Sequence, residues 1–153
     1  MQEFLRRAIA NARKAGLEEQ TGFPFGAVIV DRDGGVVADG SNHVMAHFDP
    51  TAHAEVQAIR AACAARRTIR LEGCILYSSS EPCPMCLAAA YWAGVDGVVF
   101  AATAADAAAI NGFDDAFLYR EFAAPRAERR LPTADLIGDE AIVVLKEFNE
   151  RFG

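Results

Sequence analysis

Between Phe25 and Ala101 short apolar runs alternate with helical stripes, and this order limits the possible folds more tightly than anything in the composition. Phe25 to Val30 reads as a buried strand, Asp31-Arg32-Asp33-Gly34-Gly35 as a turn, and Val36 to Asn42 as the returning strand of a hairpin. Asp49-Pro50-Thr51 is a helix-start signal. Val56, Ile59 and Cys63 then recur at i, i+3 and i+7 and carry that helix from about Pro50 into the Arg66-Arg67 region. Cys74 to Ser79 is a short apolar strand, Pro84 to Ala93 an Ala-rich helix, and Val95 to Ala101 another buried strand. A hairpin followed by strand, helix and strand predicts an α/β sandwich with at least one right-handed crossover.

The flanks add helices. Phe4, Leu5, Ala8, Ile9 and Ala12 recur at helical spacing, and Gly16 is placed to stop that helix. Thr103 to Ala109 and Phe113 to Phe122 read as short helices around an Asn111-Gly112 turn. Ala123 to Pro132, with two prolines and four charged residues, reads as an exposed hinge before a last helix over Gly138 to Arg151. The 153 residues suit one domain, with a core over 1–122 and a C-terminal segment over 123–153.

Charge and cysteine usage narrow the partners. Fifteen Lys and Arg against 21 Asp and Glu leave a net charge of −6, which offers no positive field for a polyanion. The Arg66, Arg67, Arg70 and Arg126, Arg129, Arg130 clusters therefore read as solvated faces, and nucleic acid is not the expected partner. Four cysteines are too few for a disulfide scaffold and point to reduced thiols in the cytoplasm. Met1 to Ala15 is amphipathic, unlike a signal peptide or an anchor. No apolar run reaches the ~18 residues that span a bilayer, so no membrane partner is expected.

Two short stretches hold the chemistry: His53-Ala54-Glu55 at one helix start and Pro82-Cys83-Pro84-Met85-Cys86 at another. Cys83 and Cys86 lie ~60° apart on a helix, so both sulfurs can face one ion. His53 and Glu55 lie ~200° apart on a regular helix and converge only on a target beyond the helix end. Two helix N-termini aimed at one point favour thiolates. One nitrogen and two sulfurs suit one Zn2+ per chain, leaving a fourth position for a water or hydroxide whose proton Glu55 would take. A lone C-x-x-C also fits a thiol oxidoreductase, in which His53 and Glu55 have no role. A structural zinc module would need His43 or His47 as a fourth ligand and leaves Glu55 idle. Cys63 and Cys74 sit on apolar stripes and read as core. Glu81 reads as a helix-start carboxylate that could also line a pocket.

H-x-E followed by P-C-x-x-C is the signature of the zinc-dependent nucleobase deaminases, and both halves are present here in order. The chain resembles the cytidine/deoxycytidylate deaminase-like superfamily from about Phe4 to Phe122, including Pro24-Phe25-Gly26-Ala27-Val28. It is most similar to the bacterial guanine deaminase branch, on Asp49-Pro50-Thr51-Ala52-His53-Ala54-Glu55, Cys74-Ile75-Leu76-Tyr77, Glu81 to Leu87, Tyr91-Trp92-Ala93 and Gly112-Phe113-Asp114-Asp115.

The resemblance implies a three-layer α/β/α sandwich with a five-stranded mixed sheet, and a homodimer that exchanges C-terminal segments. It implies metal ligands at His53, Cys83 and Cys86, a catalytic Glu55, and a free purine as substrate. The same resemblance places Asn42 on the base, Asp115 or its neighbour Asp114 on the purine edge, Phe25 beside the ring, and Ala54 and Trp92 at the pocket wall. Guanine deaminases that resemble this chain end in a tyrosine that closes over the base. Phe152-Gly153 carries none, which sets guanosine beside guanine as a candidate substrate. A tRNA adenosine deaminase and a pyrimidine or triazine deaminase stay open on the same fold.

Overall fold

Gly26–Val30 is buried along its whole length and forms β1, the strand around which the other three are built. The computed structural model describes residues 1–153. β1 pairs antiparallel with β2 (Val36–Ser41) on one side and antiparallel with β3 (Ile75–Ser80) on the other. β3 pairs parallel with β4 (Gly97–Ala102), so the sheet order is β2-β1-β3-β4. The β3–β4 connection is α3 (Pro84–Ala93), the crossover a parallel pair requires.

Side-chain alternation along β1 splits the core in two. Val28 and Val30, with Tyr77 of β3, pack against Ala8 of α1 (Gln2–Arg13) on one face. Ala27 and Ile29, with Leu76, pack on the other against Ala54, Ala58 and Ala62 of α2 (Ala54–Arg66) and Ala90 and Ala93 of α3. The result is the expected three-layer α/β/α sandwich, with the starts of α2 and α3 on the same side of the sheet.

Three expectations change. The sheet has four strands where five were expected. The chain beyond β4 forms α4 (Ala104–Asn111), α5 (Ala116–Ala123) and α6 (Gly138–Phe152), and its Ala-rich and 3.6-spaced pattern offers no strand. Gly16 does not stop the first helix. A π-helical turn over Lys14–Glu18 continues it, and the glycine instead serves a close approach: a Cβ at Gly16 would lie 2.7 Å from Pro24 Cβ. The second helix begins at Ala54, not near Pro50. Asp49 Oδ1 accepts from Thr51 N and Oγ1, both at 2.7 Å, closing a local turn instead of capping a helix.

The loop before that helix carries strain. Phe48 has φ of 50° and is 95% exposed, so its ring buries nothing in return for a left-handed backbone. Phe48→Asn is therefore expected to stabilise the protein by about 1 kcal/mol in chemical denaturation. Unchanged or lowered stability would show that the ring has a structural partner.

Two compact units divide the chain, Met1–Ala116 and Phe117–Gly153. In the first, α4 starts with a reciprocal capping box: Thr103 Oγ1 accepts from Asp106 N at 3.1 Å, and Asp106 Oδ2 accepts from Thr103 N at 2.9 Å. In the second, the Ala123 to Pro132 connection is tied back to α5. Arg130 N donates to Glu121 Oε2 at 2.7 Å, and Arg129 Nη2 to the Phe122 carbonyl at 3.4 Å. No helix is long and apolar enough to cross a membrane.

Candidate active site

His53 and Cys83 occupy equivalent places: each is the N-cap of its helix, in extended backbone, ahead of α2 and α3. Pro84 at the first helical position of α3 fixes that start, and Cys86 follows one turn on. The His53 side chain makes no capping bond to α2, and Cys83 Sγ turns toward Cys86 within α3, so both reach a common point. This resolves the ~200° separation of His53 and Glu55 on an ideal helix, because His53 precedes the helix and only Glu55 lies within it.

The three ligand atoms form a near-equilateral triangle. His53 Nδ1 is 3.5 Å from Cys83 Sγ and 3.5 Å from Cys86 Sγ, and the sulfurs are 3.5 Å apart. Tetrahedral zinc with Zn–N of ~2.0–2.1 Å and Zn–S of ~2.3 Å places its ligand atoms about 3.5–3.8 Å apart, so the triangle fits the ion. His53, Cys83 and Cys86 are thus positioned to bind one metal ion. Three ligands leave one tetrahedral position open, the arrangement of a catalytic site. His43 and His47, the fourth ligands a structural module would need, stack on each other at 4.9 Å instead.

Local electrostatics already favour a cation. The Cys83 thiol is lowered to about 4, first by its contact with Cys86 Sγ at 3.5 Å, then by His53 and the Cys86 backbone amide. Cys86 is pushed up by that same sulfur contact, by burial and by Glu55 beside it. His53 is raised by its partner Cys83. The starts of α2 and α3 meet at this cluster, and helix N-termini favour negative charge on the sulfurs.

Glu55 stands beside this triangle without joining it. Its side chain is buried; Oε1 accepts from Ser78 Oγ at 2.9 Å, and Oε2 from the Cys86 thiol at 3.4 Å. Burial raises its carboxyl above the usual range, against the lowering effect of those bonds. Ser78 was not singled out in the sequence; its only signal is an inward-facing position on a strand.

A cavity of about 210 Å³ opens on this cluster, lined by Phe23, Phe25, Asn42, His53, Glu55, Glu81, Cys83, Phe113 and Asp115. Phe113 meets Phe23 and Phe25 edge-on, at 4.8 and 5.4 Å between ring centroids. Asp115 lines the cavity and is raised chiefly by desolvation. Glu81 both lines the cavity and accepts from Ala104 N at 2.9 Å, holding the start of α4. No Lys or Arg is among the lining residues.

Three sequence expectations fall outside this lining. Asp114 Oδ1 accepts from Ala116 N at 2.9 Å and caps α5. Trp92 is 83% exposed on the outer side of α3, since its neighbours Ala90 and Ala93 take the core-facing positions. Ala54 is wholly buried in the core between sheet and helix. Phe23 and Phe113 contribute two of the cavity's aromatic walls; neither had been assigned a role, because aromatic residues in loops carry no periodic signal.

Fold and site together define a hydrolytic metal centre at the starts of two helices. A family model described as the cytidine and deoxycytidylate deaminase zinc-binding region matches residues 1–102, and the chain belongs to that family. It is accordingly a zinc-dependent deaminase, a hydrolase of a carbon–nitrogen bond. It is 52% identical to guanine deaminase from Bacillus subtilis over 129 residues, covering 84% of this chain and 81% of that one. The X-ray structure of Bacillus subtilis guanine deaminase superposes with a TM-score of 0.92 at 45% identity, over 97% of this chain and 93% of that chain. A tRNA-specific adenosine deaminase from Aquifex aeolicus is 41% identical over 99 residues, 65% of this chain and 64% of the relative.

Proposed function

We propose that the chain hydrolyses the exocyclic amine of guanine, releasing xanthine and ammonia. The lining of the cavity carries this reading. Aromatic rings of Phe23, Phe25 and Phe113 suit a flat heterocycle. Asn42 offers a buried donor without a partner, its Nδ2, to an acceptor on the base. Asp115 and Glu81 offer acceptors to ring and exocyclic N–H groups, of which guanine carries several. With no cation in the lining, nothing compensates a phosphate. The likeness to Bacillus subtilis guanine deaminase, across most of both chains, supports the same choice.

His53, Cys83 and Cys86 would hold zinc, which when bound acts as a Lewis acid and brings the pKa of a water down toward ~7. Asn42 and Asp115 orient the base, and the phenyl rings exclude bulk water from the reacting carbon. Glu55 takes a proton from the attacking water and places it on a ring nitrogen, so the tetrahedral carbon does not carry a full anionic charge. Glu55 then takes the remaining proton from the hydroxyl now on the tetrahedral carbon and delivers it to the amine, so the carbon–nitrogen bond breaks as the carbonyl forms, and ammonia leaves.

We place the enzyme in the cytoplasm, a reading supported by its four free cysteines. We further infer a homodimer. Within the C-terminal unit, α6 leaves Ile142, Val143, Leu145, Phe148 and Phe152 exposed, an apolar face suited to a second copy. Light scattering on a size-exclusion column checks this, and a monomer at micromolar concentration rejects it.

The substrate test is ammonia release from zinc-loaded protein given guanine, guanosine, adenosine, cytosine and cytidine in parallel. Turnover confined to guanine is expected; turnover of guanosine alone or adenosine alone would overturn the assignment. Asn42→Ala removes one hydrogen bond to the base and is expected to lower kcat/KM for guanine by roughly 2–12-fold, mostly through KM. An unchanged KM would remove Asn42 from the base site.

A further inference from the structure

Asn42 carries the only side-chain amide in the cavity lining, and its role depends on which way that amide points. Its amide has a donor end and an acceptor end, and flipping it would reverse what the cavity asks of a substrate. The backbone fixes the choice. Phe23 N donates to Asn42 Oδ1 at 3.1 Å and Val44 N donates to the same oxygen at 3.3 Å. Two donors demand the oxygen, so the nitrogen is turned the other way. Asn42 Nδ2 is the one buried side-chain nitrogen or oxygen atom without a hydrogen-bond partner.

The backbone around Asn42 is clasped as well. Thr21 Oγ1 donates to the Asn42 carbonyl at 2.9 Å, and Asn42 N donates to the Phe25 carbonyl at 3.1 Å. Met45 N and Ala46 N donate to the Thr21 carbonyl at 3.2 and 3.0 Å. The segment from Thr21 to Phe25 thus runs against the segment from Asn42 to Ala46, and Gly22 sits at their closest point. A Cβ at Gly22 would overlap Asn42 Oδ1 and stand 2.8 Å from the Asn42 carbonyl oxygen. The side-chain amide is the nearer and more flexible group and yields first, while the Asn42 carbonyl must give by a few tenths of an ångström.

We infer that Gly22 is a specificity-determining positioning residue: its missing side chain lets the Thr21–Phe23 segment lock the Asn42 amide with its nitrogen facing the substrate. Gly22 touches no substrate and acts through Asn42. The inference deepens the guanine reading and rests on it for the choice of substrate. A side chain at Gly22 displaces the amide or flips it, and a flipped amide turns its oxygen toward an acceptor on the base.

The test compares zinc-loaded wild type, Gly22→Ala, Asn42→Ala and the double variant. Gly22→Ala is expected to raise KM for guanine several-fold, as Asn42→Ala does, with kcat and zinc content unchanged. The double variant should then be no worse than Asn42→Ala alone, since Gly22 has nothing left to position. An unchanged KM in Gly22→Ala, or a full additional loss in the double variant, overturns the inference. Should Gly22→Ala fail to fold, Thr21→Val removes only the hydroxyl bond to the Asn42 carbonyl and takes its place in the same cycle. Thr21→Ser must then restore KM, and failure to restore it counts against the clasp. Absence of guanine turnover in the wild type would sink the substrate reading instead. In that case the Asn42 side-chain amide resonances in nitrogen-15-labelled protein decide the inference. A shift of those two signals in Gly22→Ala supports the lock, and unshifted signals overturn it.

Discussion

Glu55→Gln is expected to keep a full complement of zinc and to lose turnover by a factor of about 100 or more. The amide preserves shape and can still accept the bond that Ser78 Oγ now gives Glu55 Oε1 at 2.9 Å, so the local structure has little reason to move. What it removes is a proton carrier. Deamination needs a proton taken from water, one placed on the ring, and one given to the departing nitrogen; without the last, the amine would have to leave as an amide ion. Glu55 is the carboxylate suited to all three because it is buried against the metal-binding triangle while standing outside it. Glu81 lines the same cavity but is tied through Oε2 to Ala104 N at the start of α4, whereas Glu55 accepts directly from the metal-site sulfur Cys86 Sγ. Parallel ammonia-release kinetics and elemental analysis on the purified variant provide the check. A zinc-loaded Glu55→Gln enzyme with near-normal turnover would reject the proton-transfer role, and loss of zinc would show that Glu55 supports the metal.

What was legible in the sequence was what is local. The zinc triangle could be read because Cys83, Cys86 and His53 all lie within one turn of a helix start, where spacing alone controls direction. The two-layered core could be read from the continuous apolar run of β1 and the stripes of α1 and α2, since period and burial are properties of each segment. Where the outcome depended on a distant neighbour, the sequence misled. Gly16 carries a stop signal, yet Pro24 across the turn makes it a contact residue. Asp49-Pro50 carries a start signal, but Asp49 spends its oxygen on Thr51 and delays the helix to Ala54. Trp92, large and near the metal helix, would bury more area than any neighbour, yet the small residues Ala90 and Ala93 fit between α3 and the sheet and turn it outward. The fifth strand came from resemblance, and nothing in the periodicity after β4 had asked for it.

His53→Ala and Cys86→Ala are each expected to lose most of the bound zinc and, with it, essentially all turnover. The reason is geometric. Three side chains make the whole protein donor set, with all pairs of ligand atoms at 3.5 Å, and removing one leaves only two of those donors. Cys63→Ala and Cys74→Ala serve as controls for thiol loss in general. Burial pushes both of those thiols up, away from the thiolate a metal needs, and neither belongs to the triangle. Stability should follow occupancy: an ion at ~1,000 times its Kd adds about 4 kcal/mol to the folded state. Chelator should therefore lower the Tm of wild type and of the two control variants. His53→Ala and Cys86→Ala should melt low from the start and respond little to chelator. Cys86 is fully buried, so its alanine variant also loses packing, whereas His53 is partly exposed and tests the metal with less disturbance of the core. Full zinc retention in His53→Ala would reject His53 as a metal ligand and with it the triangle.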